Sequence, residues 1–258
     1  MAALSILAQI SDPHIVVGPG DAARSDALAA VVRDLVGLAA PPDAVLVSGD
    51  ITDDGDPRAY ERARQLLAPL PMPVHVLPGN HDVRDALRAS FPVGGRGGPG
   101  APVRYAVECG ALRLVVCDTT QPGRDDGRLD EASLEWLAAE LAADPETPTI
   151  VAMHHPPLLT GIAAMDAIGL PAADRAALAE IVTRSPQVRR ITVGHAHRTA
   201  FGLLGACPVV ICPGTNMRVR FEPEGSEIAV EPGPPAFALH VLLPGGDVVT
   251  HMQAAGPE

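Results

Sequence analysis

The chain has 258 residues, 47% of them hydrophobic by type, which is enough for one globular core and excludes a disordered or fibrous protein. Its 31 acidic and 19 basic residues give a formal charge of −12, which argues against general affinity for nucleic-acid backbones or anionic membranes. All 19 basic residues are Arg, so lysine Schiff-base chemistry and a P-loop lysine are excluded as well.

In chain order, residues 4–10 read as a strand, and the N-terminal run 1–10 lacks the charged start and small-residue cleavage site of a secretory signal. Apolar residues at helical spacing over 22–38 predict a helix, 44–47 a buried strand, 57–70 a helix, and 74–77 a strand. A helix is expected over 83–90, and the Gly- and Pro-rich stretch 93–102 predicts a surface loop. Residues 103–108 and 112–117 form a hairpin pattern turning at Gly110-Ala111, and 131–143 is helical. Further on, 149–153 reads as a strand, 156–171 as a long loop, 172–183 as a helix and 190–193 as a strand. From about residue 200 the helical period disappears. Strand patterns over 201–204, 209–212, 237–243 and 248–252 follow, with 222–235 an exposed loop or hairpin.

This alternation of strand and helix predicts an α/β fold with mixed sheets, one domain over 1–258, β-rich in its last part. No apolar run reaches the roughly 18 residues of a membrane span. Cys109, Cys117, Cys207 and Cys212 lie in apolar, strand-like stretches without CxxC spacing, so buried reduced thiols and a cytoplasmic address are expected.

The chemistry-bearing residues fall just after predicted strands. Asp12 and His14 follow the first, Asp50 the second, Asn80 and His81 the third, His154 and His155 the next, and His195 and His197 the last of the series. Loops leaving the carboxyl ends of strands in an open α/β sheet converge on one crevice, so these groups can meet. His75, His240 and His251 lie in strand-like runs, and with His155 they read as packing histidines. Mixed carboxylate, amide and imidazole ligands suit Zn, Mn, Fe or Co rather than Ca or Mg. Asp12, His14, Asp50, Asn80, His154, His195 and His197 are too many for one ion that must also hold water and substrate. With Asp50 as a bridge, each of two ions gains four protein ligands.

Asp12-Pro13-His14, Gly49-Asp50, Gly79-Asn80-His81-Asp82, His154-His155 and Gly194-His195-Ala196-His197 together resemble the five-block motif of the calcineurin-like metallophosphoesterases. The stretches from Gly49-Asp50 to Tyr60, from Asp118-Thr119 to Trp136-Leu137, and from His154-His155 to Met165-Asp166 are similar to a bacterial branch of that superfamily. This branch holds class III cyclic nucleotide phosphodiesterases and glycerophosphodiesterases. The resemblance weakens after about Thr215.

It implies a four-layer sandwich of two mixed β-sheets flanked by helices. It also implies two divalent or trivalent ions (Mn, Fe, Zn or Co), one on Asp12, His14, Asp50 and His197 and the other on Asp50, Asn80, His154 and His195. The implied activity is hydrolysis of a small phosphodiester, a 3′,5′-cyclic nucleotide or a glycerophosphodiester, by a metal-bound hydroxide, with His81 as general acid. Asn80, His81, Met165 and Asp166 are the candidate substrate contacts.

A phosphomonoesterase would use the same centre, and a non-catalytic interaction scaffold would be expected to lack ligands that are present here. A nuclease is disfavoured by the acidic balance and 3% aromatic content. Asp82 is expected to cap the following helix, with orientation of a ligand histidine as its second possible role. Asp53, Asp54 and Asp56 read as a solvated turn opening a helix, and Arg84, Arg198 and Arg218 as surface residues by default, with contact to a substrate phosphate or carboxylate as their alternative role. The apolar tail would support a homodimer, with no surface identified.

Overall fold

Short apolar runs bounded by polar loops become strands, and the amphipathic runs between them become helices. The computed structural model describes residues 4–94 and 97–256; the expectations for residues 1–3 of the N-terminal run and 95–96 of the 93–102 loop lie outside them. The elements are β1 (Ser5–Ile10), α1 (Asp21–Val36), β2 (Ala44–Ser48), α2 (Pro57–Leu67), β3 (Val74–Leu77), α3 (Arg84–Ser90), β4 (Arg104–Cys109) and β5 (Leu112–Cys117). They continue with α4 (Glu131–Ala143), β6 (Thr149–Ala152), α5 (Ala163–Ala167), α6 (Ala172–Thr183), β7 (Val188–Val193), β8 (Ala200–Leu204) and β9 (Cys207–Ile211). The last are β10 (Met217–Val219), β11 (Val230–Pro232), β12 (Ala236–Leu242) and β13 (Val248–Ala254).

One sheet has the order β13-β12-β1-β2-β3 and the other β4-β5-β6-β7-β9-β8, while β10 and β11 pair only with each other. β1, β2 and β3 are mutually parallel, as are β5, β6, β7 and β9; β12, β13, β4 and β8 run antiparallel to their neighbours. Both sheets are therefore mixed.

Period-two alternation shows how the layers stack. Leu114 and Val116 of β5, with Ile150 and Ala152 of β6, join the core of the first sheet. The intervening Val115 and Cys117, with Val151 and with Met153 just past β6, join the core beneath α4 and α6. Strands buried on both faces read as continuous apolar runs, and the result is the predicted four-layer α/β sandwich.

Local chemistry fixes the helix ends. Asp56 caps α2 by accepting from Arg58 N at 2.8 Å, and Asp130 caps α4 by accepting from Ser133 N at 2.8 Å. α2 stops at Leu67 rather than 70 because Pro69 lacks an amide donor and restricts the residue before it. The 156–171 loop contains the short α5, and the 222–235 stretch holds the second strand of the β10–β11 hairpin. All four cysteines are buried and unpaired. Among the described residues no helix is long and apolar enough to cross a membrane.

Candidate metal centre

The carboxyl ends of β1, β2 and β3 in one sheet and of β6 and β7 in the other open onto one cleft of about 210 Å³. The loops that leave them are strained. Asp12, His14, Asp50, His195 and His197 have φ of 53°, 45°, 47°, 68° and 49°, and they are the non-glycine residues with positive φ among those described. Left-handed backbone costs a side-chain-bearing residue on the order of 1 kcal/mol or more, and such strain concentrates at functional sites. The glycines of two sequence blocks have a steric reason. A Cβ on Gly49, itself at φ 94°, would lie 2.3 Å from His154 Nδ1, and one on Gly79 would lie 2.1 Å from Asp50 Oδ1.

Two groups of ligand atoms result. His14 Nε2 lies 3.1 Å from His197 Nε2 and 3.4 Å from Asp50 Oδ2, and His197 Nε2 is 3.5 Å from Asp12 Oδ1. Asn80 Oδ1 lies 3.1 Å from His154 Nε2 and 3.0 Å from His195 Nδ1, while His154 Nε2 is 3.4 Å from Asp50 Oδ2. Asp50 Oδ2 belongs to both groups.

The donor set fits two cations. His14 Nδ1 donates to Asp53 Oδ1 at 2.8 Å and His154 Nδ1 to Ser48 O at 2.9 Å, which places a proton on each Nδ1 and turns each Nε2 towards the oxygens of the site. Ligand atoms about 3.0–3.4 Å apart are the edges of a polyhedron with metal bonds of about 2.1 Å. Asp12 Oδ2 accepts from Ser11 Oγ at 2.5 Å, His195 N donates to both Asp12 oxygens, 3.1 Å from Oδ1 and 3.2 Å from Oδ2, and Oδ1 also faces His197.

The charges tell the same story. Burial disfavours protonation of His154, but the Asp50 carboxylate outweighs it and lifts the pKa to about 9. Burial likewise disfavours ionised Asp50, and His154 with His14 still holds it well below the usual carboxylate range. The protein thus balances Asp50 with an imidazolium proton in the very position where a cation would serve, so metal and proton compete.

Residues 6–199 match the profile of the family described as calcineurin-like phosphoesterase. The chain belongs to that family. Glycerophosphodiester phosphodiesterase GpdQ of Enterobacter lignolyticus is 35% identical over 91% of this chain and 86% of its own length. A Synechococcus sp. protein named as a probable cyclic nucleotide phosphodiesterase is 36% identical over 85% of this chain and 89% of its own. Purple acid phosphatase PPD1 of yellow lupin has the same fold, with a TM-score of 0.71 at 14% identity over 99% of this chain; the match spans 52% of the lupin chain.

In this phosphoesterase the structure brings together all seven residues expected as ligands, Asp12, His14, Asp50, Asn80, His154, His195 and His197. His81 joins them at the cleft: its backbone N–H donates to Asp50 Oδ1 at 3.0 Å and its Nδ1 to Asp53 O at 2.8 Å. Met165 lines the cleft too. His155 packs as expected, taking a hydrogen bond from Thr119 Oγ1 at Nδ1 and giving one to Asp125 O from Nε2. Burial, then neighbouring His154, pushes its pKa down to about 3.

Other expectations are corrected. Asp82 does not cap α3, whose N-cap is Val83, and it orients no ligand histidine. Its carboxylate accepts from Ile51 N, Thr52 N, Gly79 N and Tyr60 Oη at 3.1, 3.2, 2.9 and 2.9 Å, tying the Asp50 loop to the Asn80–His81 loop. Asp53 is no free turn residue, since it holds His14 and pairs with Arg24 at 3.1 Å. Asp166 is no cleft residue: it accepts from Thr160 N and Oγ1 and from Gly161 N, and so shapes its own loop. Arg84 is not a surface residue either, because it donates to Asp118 Oδ2 and Thr120 O with its side chain 13% exposed. Arg198 donates to Val219 O at 2.6 Å and anchors the β10–β11 hairpin. Arg218 stays on the surface, paired with Glu231.

Sequence reasoning missed Arg24 and the apolar side chains of the hairpin, all of which line the cleft. The available signal was the apolar run Ile228-Ala229-Val230 inside an otherwise acidic, Gly- and Pro-rich stretch.

Proposed function

We propose that this phosphoesterase is a dinuclear metal-dependent phosphodiesterase acting on small phosphodiesters, 3′,5′-cyclic nucleotides or glycerophosphodiesters. One observation carries the reading: two converging ligand groups share Asp50 Oδ2. Asp12, His14, Asp50 and His197 would hold one ion and Asp50, Asn80, His154 and His195 the other, with Mn, Fe, Zn or Co compatible with these donors. A metal pair there would neutralise charge on the phosphoryl oxygens and lower the pKa of water at the site.

The chain's own residues do the rest. Asp53 and Ser48 O hold the His14 and His154 rings in the tautomer that leaves each Nε2 free. His81 commits its Nδ1 proton to Asp53 O, so Nε2 is the atom that exchanges a proton with the leaving alkoxide. Arg24 is the one arginine among the described residues lining the cleft, and its charge is already met by Asp53. Beyond what the metal pair would supply, the described side chains of the cleft therefore offer little to neutralise the extra charge of a monoester, which favours the singly charged diester. The four free buried thiols support a cytoplasmic location. We also read residues 1–258 as one domain, because Gln9 in β1 donates to Val193 O of the opposite sheet.

The test is kcat/KM of Mn-reconstituted enzyme on bis(p-nitrophenyl) phosphate against p-nitrophenyl phosphate, with an EDTA-stripped control. Strong preference for the diester, abolished by EDTA, is expected; monoester preference or metal-independent turnover would overturn the reading. Within it, Asp50→Ala should lose both ions by elemental analysis, whereas His81→Ala should keep them and lose turnover.

A further inference from the structure

The wall of the cleft that faces the ligand groups is apolar. It is formed by Met165 and Ile168 on one side and by Met217, Val219, Ile228 and Val230 on the other. The second set belongs to the β10–β11 hairpin, which is hydrogen-bonded to neither large sheet. The hairpin is fastened over the site by Arg198 Nη1 donating to Val219 O at 2.6 Å and by Asn216 Nδ2 donating to Pro13 O at 2.7 Å. Both anchors come from segments beside expected ligands, Arg198 next to His197 and Pro13 between Asp12 and His14.

Strand alternation decides which face of the hairpin looks at the site. Val219 stands opposite Val230, and Arg218 opposite Glu231, in register. The valine pair lines the cleft, while the Arg218–Glu231 ion pair, 2.6 Å between Nε and Oε1, occupies the other face. Ile228 and Val230 remain 44% and 54% exposed, so neither is accounted for by core packing. Half-exposed hydrocarbon beside carboxylates and imidazoles is apolar surface that a ligand can still remove from water.

We propose that the β10–β11 hairpin and the Met165–Ile168 segment form a subsite for an uncharged ester group of the substrate that presents an apolar ring face, such as an aryl group or a nucleoside lying with the face of its base on the wall. The inference rests on the phosphodiesterase reading and sharpens it. A glycerol-type group would meet a wall of hydrocarbon and thioether with no partner for its hydroxyls, and desolvating them unpaired is unfavourable. Among the described residues, a second phosphate would find there no arginine beyond Arg24, which Asp53 already engages.

The test compares phenyl p-nitrophenyl phosphate with methyl p-nitrophenyl phosphate, which share a leaving group and differ in the retained ester. Wild-type enzyme should favour the phenyl diester. Ile228→Ser and Val230→Thr, at exposed positions that do not threaten folding, should each lower the phenyl-to-methyl ratio of kcat/KM several-fold, to about tenfold together, through KM. Phe201→Ser, at an exposed apolar position on β8 outside the cleft, should leave the ratio unmoved. Equal kcat/KM for the two diesters, or a ratio insensitive to both hairpin substitutions, would overturn the subsite. Failure to hydrolyse either diester with metal present would instead overturn the phosphodiesterase reading. In that event calorimetric binding of diphenyl phosphate against dimethyl phosphate still decides the subsite: tighter diphenyl binding, weakened by Ile228→Ser, supports it, and equal affinities overturn it.

Discussion

At the scale of single residues, the candidate site is a place where the backbone is held against its own preferences. His195, at φ 68°, carries a side chain where glycine would sit without strain. In the metal-free protein His195→Gly should therefore be more stable than His195→Ala by about 1 kcal/mol, the reverse of the usual glycine penalty. Urea unfolding measures the difference, and equal stability of the two variants would show that the loop stores no strain. The clustering of the candidate ligands was legible because each follows a strand closely, and strand ends in this class of fold converge. Asp53 was not legible, because its partner His14 lies 39 residues earlier and nothing local distinguishes a carboxylate that holds a histidine from one that faces water.

At the scale of elements, the decisive device is the pair of loops after β2 and β3, fastened together by Asp82. One carboxylate gathers three backbone N–H groups and the Tyr60 hydroxyl, whose oxygen in turn accepts from Val83 N at 2.9 Å. Burial and nearby Asp50 raise the Asp82 pKa, so its charge is not what the fold favours there; its value lies in gathering five donors in one place, the Thr52 hydroxyl included. An amide has only one acceptor oxygen. Asp82→Asn should release Asn80 and His81 from Asp50 and lower kcat by roughly 10–100-fold while β1, β2 and β3 remain folded, which circular dichroism beside steady-state kinetics would check. Unchanged kcat would remove Asp82 from the positioning role.

Most helices and strands could be read from periodicity, caps and prolines, as α2 ending before Pro69 illustrates. The five-residue α5 and the three-residue strands β10 and β11 are too short to show a period. Their placement depends on anchors such as Arg198 on Val219 O, a contact between a loop and β10 that no local pattern announces.

At the scale of the molecule, the two sheets meet at the site. Asp12, His14, Asp50 and Asn80 come from the loops of one sheet, and His154, His195 and His197 from those of the other. Each proposed ion would draw ligands from both, so occupancy is linked to the packing of the sandwich. Thermal unfolding should shift upward as Mn is titrated into EDTA-stripped protein, by an amount equivalent to about 2.7 kcal/mol for each ion whose free concentration is 100 times its Kd. A midpoint indifferent to metal would mean that the folded protein does not bind the ions in preference to the unfolded chain.

The two-sheet architecture was legible in the order of strand and helix patterns, but strand order was not. β12 lies against β1, Ser5 facing Leu242, and nothing near either segment specifies a partner more than two hundred residues away. That pairing has a consequence for how the protein is made on the ribosome. Until synthesis has passed Leu242, β1 has an open edge, and the first ligands of the nascent chain hang from an unfinished sheet. Loading of the proposed ions would therefore follow synthesis of β12, and a messenger truncated before β12 would yield a product that is both inactive and prone to pair its bare edge with a neighbour.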